Sequence, residues 1–433
     1  MNNHMLDIRI IRDNPELVKK NLAKRGDPNN LSMFEELIRL DKEWRQLLTK
    51  LNDLRHARKK ITAEIAVLKK TEKETEKEIE NGRRIDSDIT ESEKHVVESE
   101  QRIHALLMRI PNLLHDSVPF GKDENDNVEV RRWGKPKAFT FPTKGHMDIG
   151  VDLDILDVER AGKTAGSRFF YLKNEGVLLD FALMNFALGE MAAKGYEPIE
   201  PPFLMNREAY EGVTSLSDFE HVLYKIEDEN LYLIATSEHP MAAMYMKEVL
   251  LAQHLPMKLA GISTCFRKEA GAHGKDTRGI FRTHQFNKIE QFIFCRPEDS
   301  WQLHEELLRN AEELVQKLGL PYRVVNVCTG DIGTVAAKKY DIEAWIPAQN
   351  AYREIVSCSN CTDYQARRLN VKYREKEGAP PKEPVHTLNS TAIATGRTIV
   401  AILENYQNQD GSVTVPDVLR EFMRGIIKIE SKR

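Results

Sequence analysis

The residues best suited to chemistry cluster in one stretch, residues 265–292, CFRKEAGAHGKDTRGIFRTHQFNKIEQF. Phe266 leads into Arg267-Lys268-Glu269, and a loop with Gly271, Gly274 and Gly279 carries Lys275 and Arg278. An alternating run follows: Ile280, Arg282, His284 and Phe286, then Ile289, Gln291 and Phe292. The pattern predicts strand, long loop, strand, an antiparallel hairpin. Arginine offers a planar fork of donors to phosphate. Phenylalanine offers a flat face to a base. Together they suit a phosphate-bearing aromatic ligand, although an ordinary hairpin with a solvated charged loop fits the composition as well.

Three other places carry chemistry. Thr236-Ser237-Glu238 follows the short strand at residues 231–234. Its hydroxyls and carboxylate could hold an amino group and a hydroxyl, or simply cap the next helix. Glu354 and Ser357 form an oxygen pair near a strand end. Magnesium takes few protein oxygens and fills its shell with phosphate. Arg397 opens an apolar helix, against the macrodipole preference. It therefore calls for an anionic partner, either a ligand or a nearby carboxylate. Two weaker patterns are set aside. Cys358 and Cys361 have metal spacing but no second pair. Gly162-Lys163-Thr164 resembles the end of a P-loop, but Asp157 stands where the required glycine would be.

These residues need elements to position them. Residues 5–11 alternate weakly, as in a short strand, and Asn14-Pro15 starts a helix that ends near Gly26. Leu37, Leu40, Trp44, Leu47, Leu51, Leu54, Arg58, Ile61, Ile65 and Leu68 step by three and four, a heptad seam. Ile85, Ile89, Ser92, Val96, Ser99, Ile103, Leu106 and Ile110 form a second. With Asn81-Gly82 as the turn signal, an antiparallel helical hairpin is predicted, stopped by Pro111. Arg55, Arg58, Lys59 and Lys60 lie on its first helix, as a solvated face or as an edge that touches phosphates. A linker rich in Pro, Asp, Asn and Gly leads into a globular domain. There a helix at 176–194 precedes a strand at 196–204 broken by prolines. Two domains are expected, residues 1–112 and 113–433.

The totals bound the function. The 433 residues are 41% hydrophobic and 30% charged, with a net charge of −4. No global field attracts nucleic acid, so any such contact must rest on a local patch. Five cysteines form no disulfide framework, which points to a reducing, cytoplasmic setting. The polar N-terminus predicts no signal peptide. No apolar run approaches the roughly 18 residues of a membrane span.

The strand ending in Pro202, the FRKE…HQFNKIEQF hairpin and the strand–Gly-Arg–helix together resemble the three signature motifs of class II aminoacyl-tRNA synthetases. In detail TSE, FRKEAG, HQFNKIEQF, YREIVSCSN, TDYQARR and TGRTIVAILENYQ are similar to seryl-tRNA synthetases, as is the N-terminal arm. The resemblance implies an α+β fold: an antiparallel class II synthetase sheet flanked by helices, preceded by an antiparallel two-helix coiled coil. It implies a homodimer that uses ATP and Mg2+ to make seryl-adenylate from L-serine and then charges tRNA(Ser), with tRNA(Sec) a second candidate acceptor. Carried over by position, Arg267 meets the α-phosphate and the serine carboxylate, beside Lys268. Glu269 meets the adenine amino group and Phe286 its ring. Arg397, helped by Arg282, meets the γ-phosphate. Glu354 and Ser357 hold magnesium. Thr236, Ser237, Glu238, Glu290, Asn389 and Thr391 surround the serine. Arg55, Arg58, Lys59 and Lys60 meet tRNA. The loop at residues 271–279 takes no role from the resemblance; the expectation for it is contact with the tRNA acceptor end through Lys275 and Arg278. Asn389-Ser390-Thr391 departs from a glycine-rich bacterial pattern toward archaeal or eukaryotic relatives. A relative that loads a carrier protein would lack the arm. A degenerate scaffold would have lost Arg267, Glu269, Arg282 or Arg397.

Overall fold

The computed structural model describes residues 8–269 and 279–431. The chain divides into two compact units between Pro111 and Asn112.

The first unit is helical. It comprises α1 (Ile8–Asp13), α2 (Pro15–Ala23), α3 (Pro28–Lys70) and α4 (Glu76–Leu107). Residues 8–13 are helical rather than extended, because the buried pair Ile8 and Ile11 is spaced by three, not two. α2 begins on proline, and Gly26, at φ +73°, lies just beyond its end. Asp27 caps α3 by accepting the Asn29 N–H. Leu37, Leu40 and Leu51 are buried on α3; Ile85, Ser92, Val96 and Ile103 are buried on α4. The reversal falls at residues 71–75, not at Asn81-Gly82. Gly82 lies inside α4, where a Cβ would stand 3.7 Å from the Arg58 guanidinium carbon and from Ile61. That glycine lies buried in the helix instead of in a turn. Arg58 nearby donates two hydrogen bonds to Asp86, of 2.6 and 2.9 Å.

The second unit is built on one eight-stranded sheet. Its strands are β1 (Val128–Trp133), β2 (Glu197–Ile199), β3 (Met257–Phe266), β4 (Gln285–Cys295), β5 (Tyr322–Asn326), β6 (Lys338–Ile346), β7 (Ala351–Thr362) and β8 (His386–Ala394). Their spatial order is β1-β5-β6-β7-β8-β4-β3-β2. Every pairing is antiparallel except β2 against β3. The helices that matter here are α5 (Glu175–Ala193), α6 (Ser300–Lys317), the short α7 (Tyr364–Leu369) and α8 (Thr395–Asn405).

β4 shows how the sheet sorts its faces. Ile289, Ile293 and Cys295 enter the main core with residues of α5, α6 and α8. Phe292 and Phe294 enter a second cluster with Tyr210 and Tyr232. Side chains two apart share a face, so Phe286, Lys288 and Glu290 go with the second set. The nineteen-residue α5 is long and apolar enough to match a bilayer span by length and composition, contrary to the expectation that no apolar run approaches that length. Leu179, Ala182, Leu183 and Phe186 on it pack in the core, which accounts for that composition.

Two local expectations change. The ladder between β3 and β4 ends at Phe266 opposite Gln285, so residues 280–284 are not part of the strand. Ile280 and Phe281 are both buried, and consecutive buried side chains break the alternation a half-buried strand needs. The expected strand at 196–204 is split as well: β2 ends before Pro201-Pro202, and Leu204–Asn206 pairs with Leu231–Leu233 instead. Gly162-Lys163-Thr164 ends a helix, Val158–Thr164, that Asp157 caps through the Arg160 N–H. Gly271, Gly274, Lys275 and Arg278 lie outside the described residues.

Candidate active site

A cavity of about 510 Å³ opens on the second face of the sheet. β4 supplies Phe286, Lys288 and Glu290; the end of β3 leads to Arg267 and Glu269. β7 supplies Glu354 and Ser357, β8 Asn389 and Thr391, and the first turn of α8 Arg397. Arg282 and the turn residues Thr236 and Glu238 complete this set. Residues spread over more than 150 positions thus meet because neighbouring strands of one sheet carry them.

Two expected residues do not line the cavity. Ser237 is fully buried, and its hydroxyl donates to Gly261 O at 3.2 Å. Lys268 follows Arg267 and precedes Glu269, and its ammonium lies 5.7 Å from the Tyr224 ring centre. Its backbone N–H donates to Val222 O.

Two of the carboxylates that line the cavity are Glu238 and Glu290. Glu290 Oε2 lies 2.5 Å from Lys288 Nζ and accepts from Thr391 Oγ1 at 3.4 Å. Glu238 Oε1 accepts from Gln365 Nε2 at 3.1 Å. Thr236 Oγ1 accepts the Glu238 N–H at 3.2 Å, a local turn that aims the carboxylate. Glu238 is partly exposed, but only to the cavity. Burial pushes its carboxyl up to about 7, with the charge of Glu290 adding to it, while Lys288, Gln365 and Arg267 oppose the rise. Burial holds the neighbouring His239 down to about 3, with Lys288 and Arg267 contributing, so its imidazole is neutral. His239 Nδ1 lies 2.9 Å from the Tyr210 hydroxyl, which accepts the Ala235 N–H at 3.1 Å.

Three arginines also line it. Arg267 Nε donates to Ala235 O at 3.2 Å, and its guanidinium lies 5.2 Å from the Phe286 ring centre. Arg397 Nη1 donates to Glu354 O at 3.0 Å and lies 3.2 Å from Glu354 Oε1. The carboxylate partner expected for a cation at a helix start is therefore Glu354. Arg397 and Arg353 also lie 5.2 and 4.6 Å from the centre of the Phe281 ring. Arg282 Nη1 lies 3.7 Å from Glu269 Oε2.

The oxygen pair has a buried neighbour. Asp341 stands opposite Ser357 across β6 and β7. Its Oδ1 is buried with no hydrogen-bond partner, and burial pushes its carboxyl up, with Glu354 adding and Lys339 opposing. Burial would raise Glu354 too, but Arg397 and Lys339 outweigh it and hold the carboxyl below its ordinary range. An orphaned carboxylate oxygen near two further oxygens fits a hard divalent cation that shares phosphate ligands.

The arm residues are placed separately. Arg55 Nη2 donates to Glu93 at 2.7 Å, and Arg58 is held by Asp86. Lys59 and Lys60 are exposed. Sequence reasoning passed over Lys288, His239, Phe281 and Gln365. Lys288 could have been found, since it shares parity with Phe286 and Glu290. Phe281 lies outside the ladder, and no periodicity marks Gln365.

Residues 5–114 match the family described as Seryl-tRNA synthetase N-terminal domain, and residues 224–406 match tRNA synthetase class II core domain (G, H, P, S and T). The chain is 54% identical over 422 residues to a serine–tRNA ligase of Methanocella arvoryzae, covering 98% of this chain and 99% of that one. It is similar to the crystal structure of seryl-tRNA synthetase from Pyrococcus horikoshii complexed with ATP, with a TM-score of 0.95, 50% identity, and 99% and 100% of the two chains covered. A cytoplasmic serine–tRNA ligase from Naegleria fowleri in complex with AMP gives a TM-score of 0.91 at 38% identity over the full length of both chains.

Proposed function

Because this chain belongs to the seryl-tRNA synthetase family, we propose that it activates L-serine with ATP to seryl-adenylate and transfers the serine to tRNA(Ser). The observation that carries this reading is one cavity lined by both kinds of charge: Glu238 and Glu290 among its carboxylates, Arg267, Arg282 and Arg397 among its cations. The carboxylates suit an ammonium and a hydroxyl. The arginines suit a triphosphate.

The chemistry needs no general base, because serine's carboxylate is already ionised when it attacks the α-phosphorus. Catalysis is then positioning plus neutralisation of phosphate charge. Arg267 reaches the α-phosphate and the serine carboxylate. Glu269 and Phe286 take the adenine, and Arg397 with Arg282 the γ-phosphate. Glu354 and Ser357 would hold Mg2+, with Asp341 beside them. When bound, that ion would neutralise phosphate charge. Glu238 and Thr236 take the serine ammonium. Glu290 and Thr391 take its hydroxyl, with Asn389 nearby. Alanine or glycine would forgo the hydrogen bond of that hydroxyl, which favours serine over both.

The arm serves tRNA. Arg55, Lys59 and Lys60 are exposed on it, and Arg55 and Arg58 also pair with Glu93 and Asp86. A homodimer is supported by the apolar side chains of Val177 and Phe181 on α5, exposed on the second unit. The working compartment is the cytoplasm, in keeping with five free buried thiols.

The test is amino acid-dependent ATP–pyrophosphate exchange without tRNA. Exchange with L-serine is expected. Exchange with a different amino acid and none with serine would overturn the substrate.

A further inference from the structure

Glu238 is held from behind by groups outside the cavity wall. Gln365, on α7, is fully buried. Its Nε2 lies 3.1 Å from Glu238 Oε1 and 3.5 Å from Val213 O. Its Oε1 accepts from Thr387 Oγ1 at 2.7 Å. Thr387, on β8, is itself fully buried.

The geometry fixes the amide. A side-chain amide has a donor end and an acceptor end, and an ionised carboxylate only accepts. Glu238 and the Val213 carbonyl only accept, so the donor end faces them and the acceptor end takes the Thr387 hydroxyl. A hydrogen bond donated to a carboxylate favours its charged form. Glu238 needs that support, since burial and the nearby Glu290 both favour the neutral acid. A neutral Glu238 would offer no charge to an ammonium group.

We propose that Gln365, oriented by Thr387, is a positioning residue for serine recognition: it keeps Glu238 aimed into the cavity as the acceptor for the substrate's ammonium group. This rests on the reading of Glu238 as part of the serine pocket. Gln365 does not line the cavity. A residue that only packed α7 against its surroundings would affect folding and leave substrate discrimination alone.

The experiment compares Gln365→Leu, Thr387→Val and Glu238→Gln in the full-length enzyme. Serine and ATP requirements are read from pyrophosphate exchange, and folding from thermal melts. Gln365→Leu is expected to raise the serine KM about 10- to 100-fold, with the ATP KM within about twofold of wild type. Thr387→Val frees the amide to rotate, and a rise of about 3- to 10-fold in the same direction is expected. It removes one hydroxyl at nearly constant volume, so it decides the matter alone if Gln365→Leu does not fold. Folded variants whose serine KM stays within about twofold, or whose serine and ATP requirements rise together, would overturn the proposal. Glu238→Gln separates the two levels. If it raises the serine KM while the others do not, only the role of Gln365 falls. If it leaves the serine KM unchanged, the pocket assignment falls and takes this proposal with it.

Discussion

Lys288 Nζ lies 2.5 Å from Glu290 Oε2, and both side chains are less than a tenth exposed. The two residues sit two apart on β4, on the face that lines the cavity. Two charges so placed are costly to desolvate, and removing one partner strands the other. Lys288→Met is therefore expected to lower stability by about 3–5 kcal/mol, read from urea denaturation. Lys288→Met with Glu290→Gln should recover much of that loss, because no unpaired charge remains. A loss under about 1 kcal/mol in the single variant would mean that Glu290 simply takes up a proton.

The second prediction concerns pH. Glu238 has its carboxyl raised from 4.5 to about 7, chiefly by burial. Between those values the unfolded chain has released this proton and the folded chain still holds it. The group's contribution to stability is thus present below about 4.5 and is lost as pH rises through about 7. Serine recognition runs the other way, since the ammonium needs the charged carboxylate. At saturating ATP, kcat/KM for serine should climb from about pH 6 to about pH 8. Glu238→Gln should remove that ascending limb. An unchanged limb in the variant would assign the titration to another group.

The periodic parts of this fold were legible in the sequence. The heptad seams of α3 and α4 name each other's buried residues, and the alternation of β4 marks the cavity face. What failed was local and context-dependent. Asn81-Gly82 reads as a turn, yet Gly82 lies inside α4, buried against Arg58 and Ile61 of α3. Ile280 and Phe281 read as half of an alternating strand, yet tertiary packing buries both. Arg267, Glu269, Glu354 and Arg397, which line the cavity, stand in the sequence as charged residues beside apolar runs. Gln365 does not. A polar side chain that supports another from behind leaves no period and no charge pattern to read.

Arm and cavity make separable demands, which gives a third prediction. Lys59→Glu with Lys60→Glu changes exposed side chains on α3 and leaves the Arg58–Asp86 pair in place. Serine-dependent pyrophosphate exchange should be unchanged. The KM for tRNA(Ser) should rise about tenfold or more, and the slope of log affinity against log salt should fall by about two. Equal losses in exchange and in charging would place these lysines in folding rather than in tRNA contact.

The last prediction concerns the close of the loop that connects β3 to β4. His146 is buried, and its Nδ1 lies 2.9 Å from Glu404 Oε1 on α8. A carboxylate accepts, so Nδ1 carries the proton and Nε2 is left to accept the Ile280 N–H at 3.4 Å. Gly279 adopts φ +100°, and a Cβ there would stand 2.1 Å from His146 Nε2. Gly279→Ala therefore meets both a strained backbone and a collision. A loss of about 1–3 kcal/mol is expected from the backbone alone. The displacement should be felt next at Phe281, whose ring lies by Arg353 and Arg397, and at Arg282. The ATP KM should accordingly rise more than the serine KM in pyrophosphate exchange. Adding His146→Ala removes the collision but not the strained φ, so the double variant should recover part of the stability and part of the ATP affinity. A Gly279→Ala enzyme with lower stability and unchanged ATP affinity would show that the His146 contact supports the fold without setting the arginines.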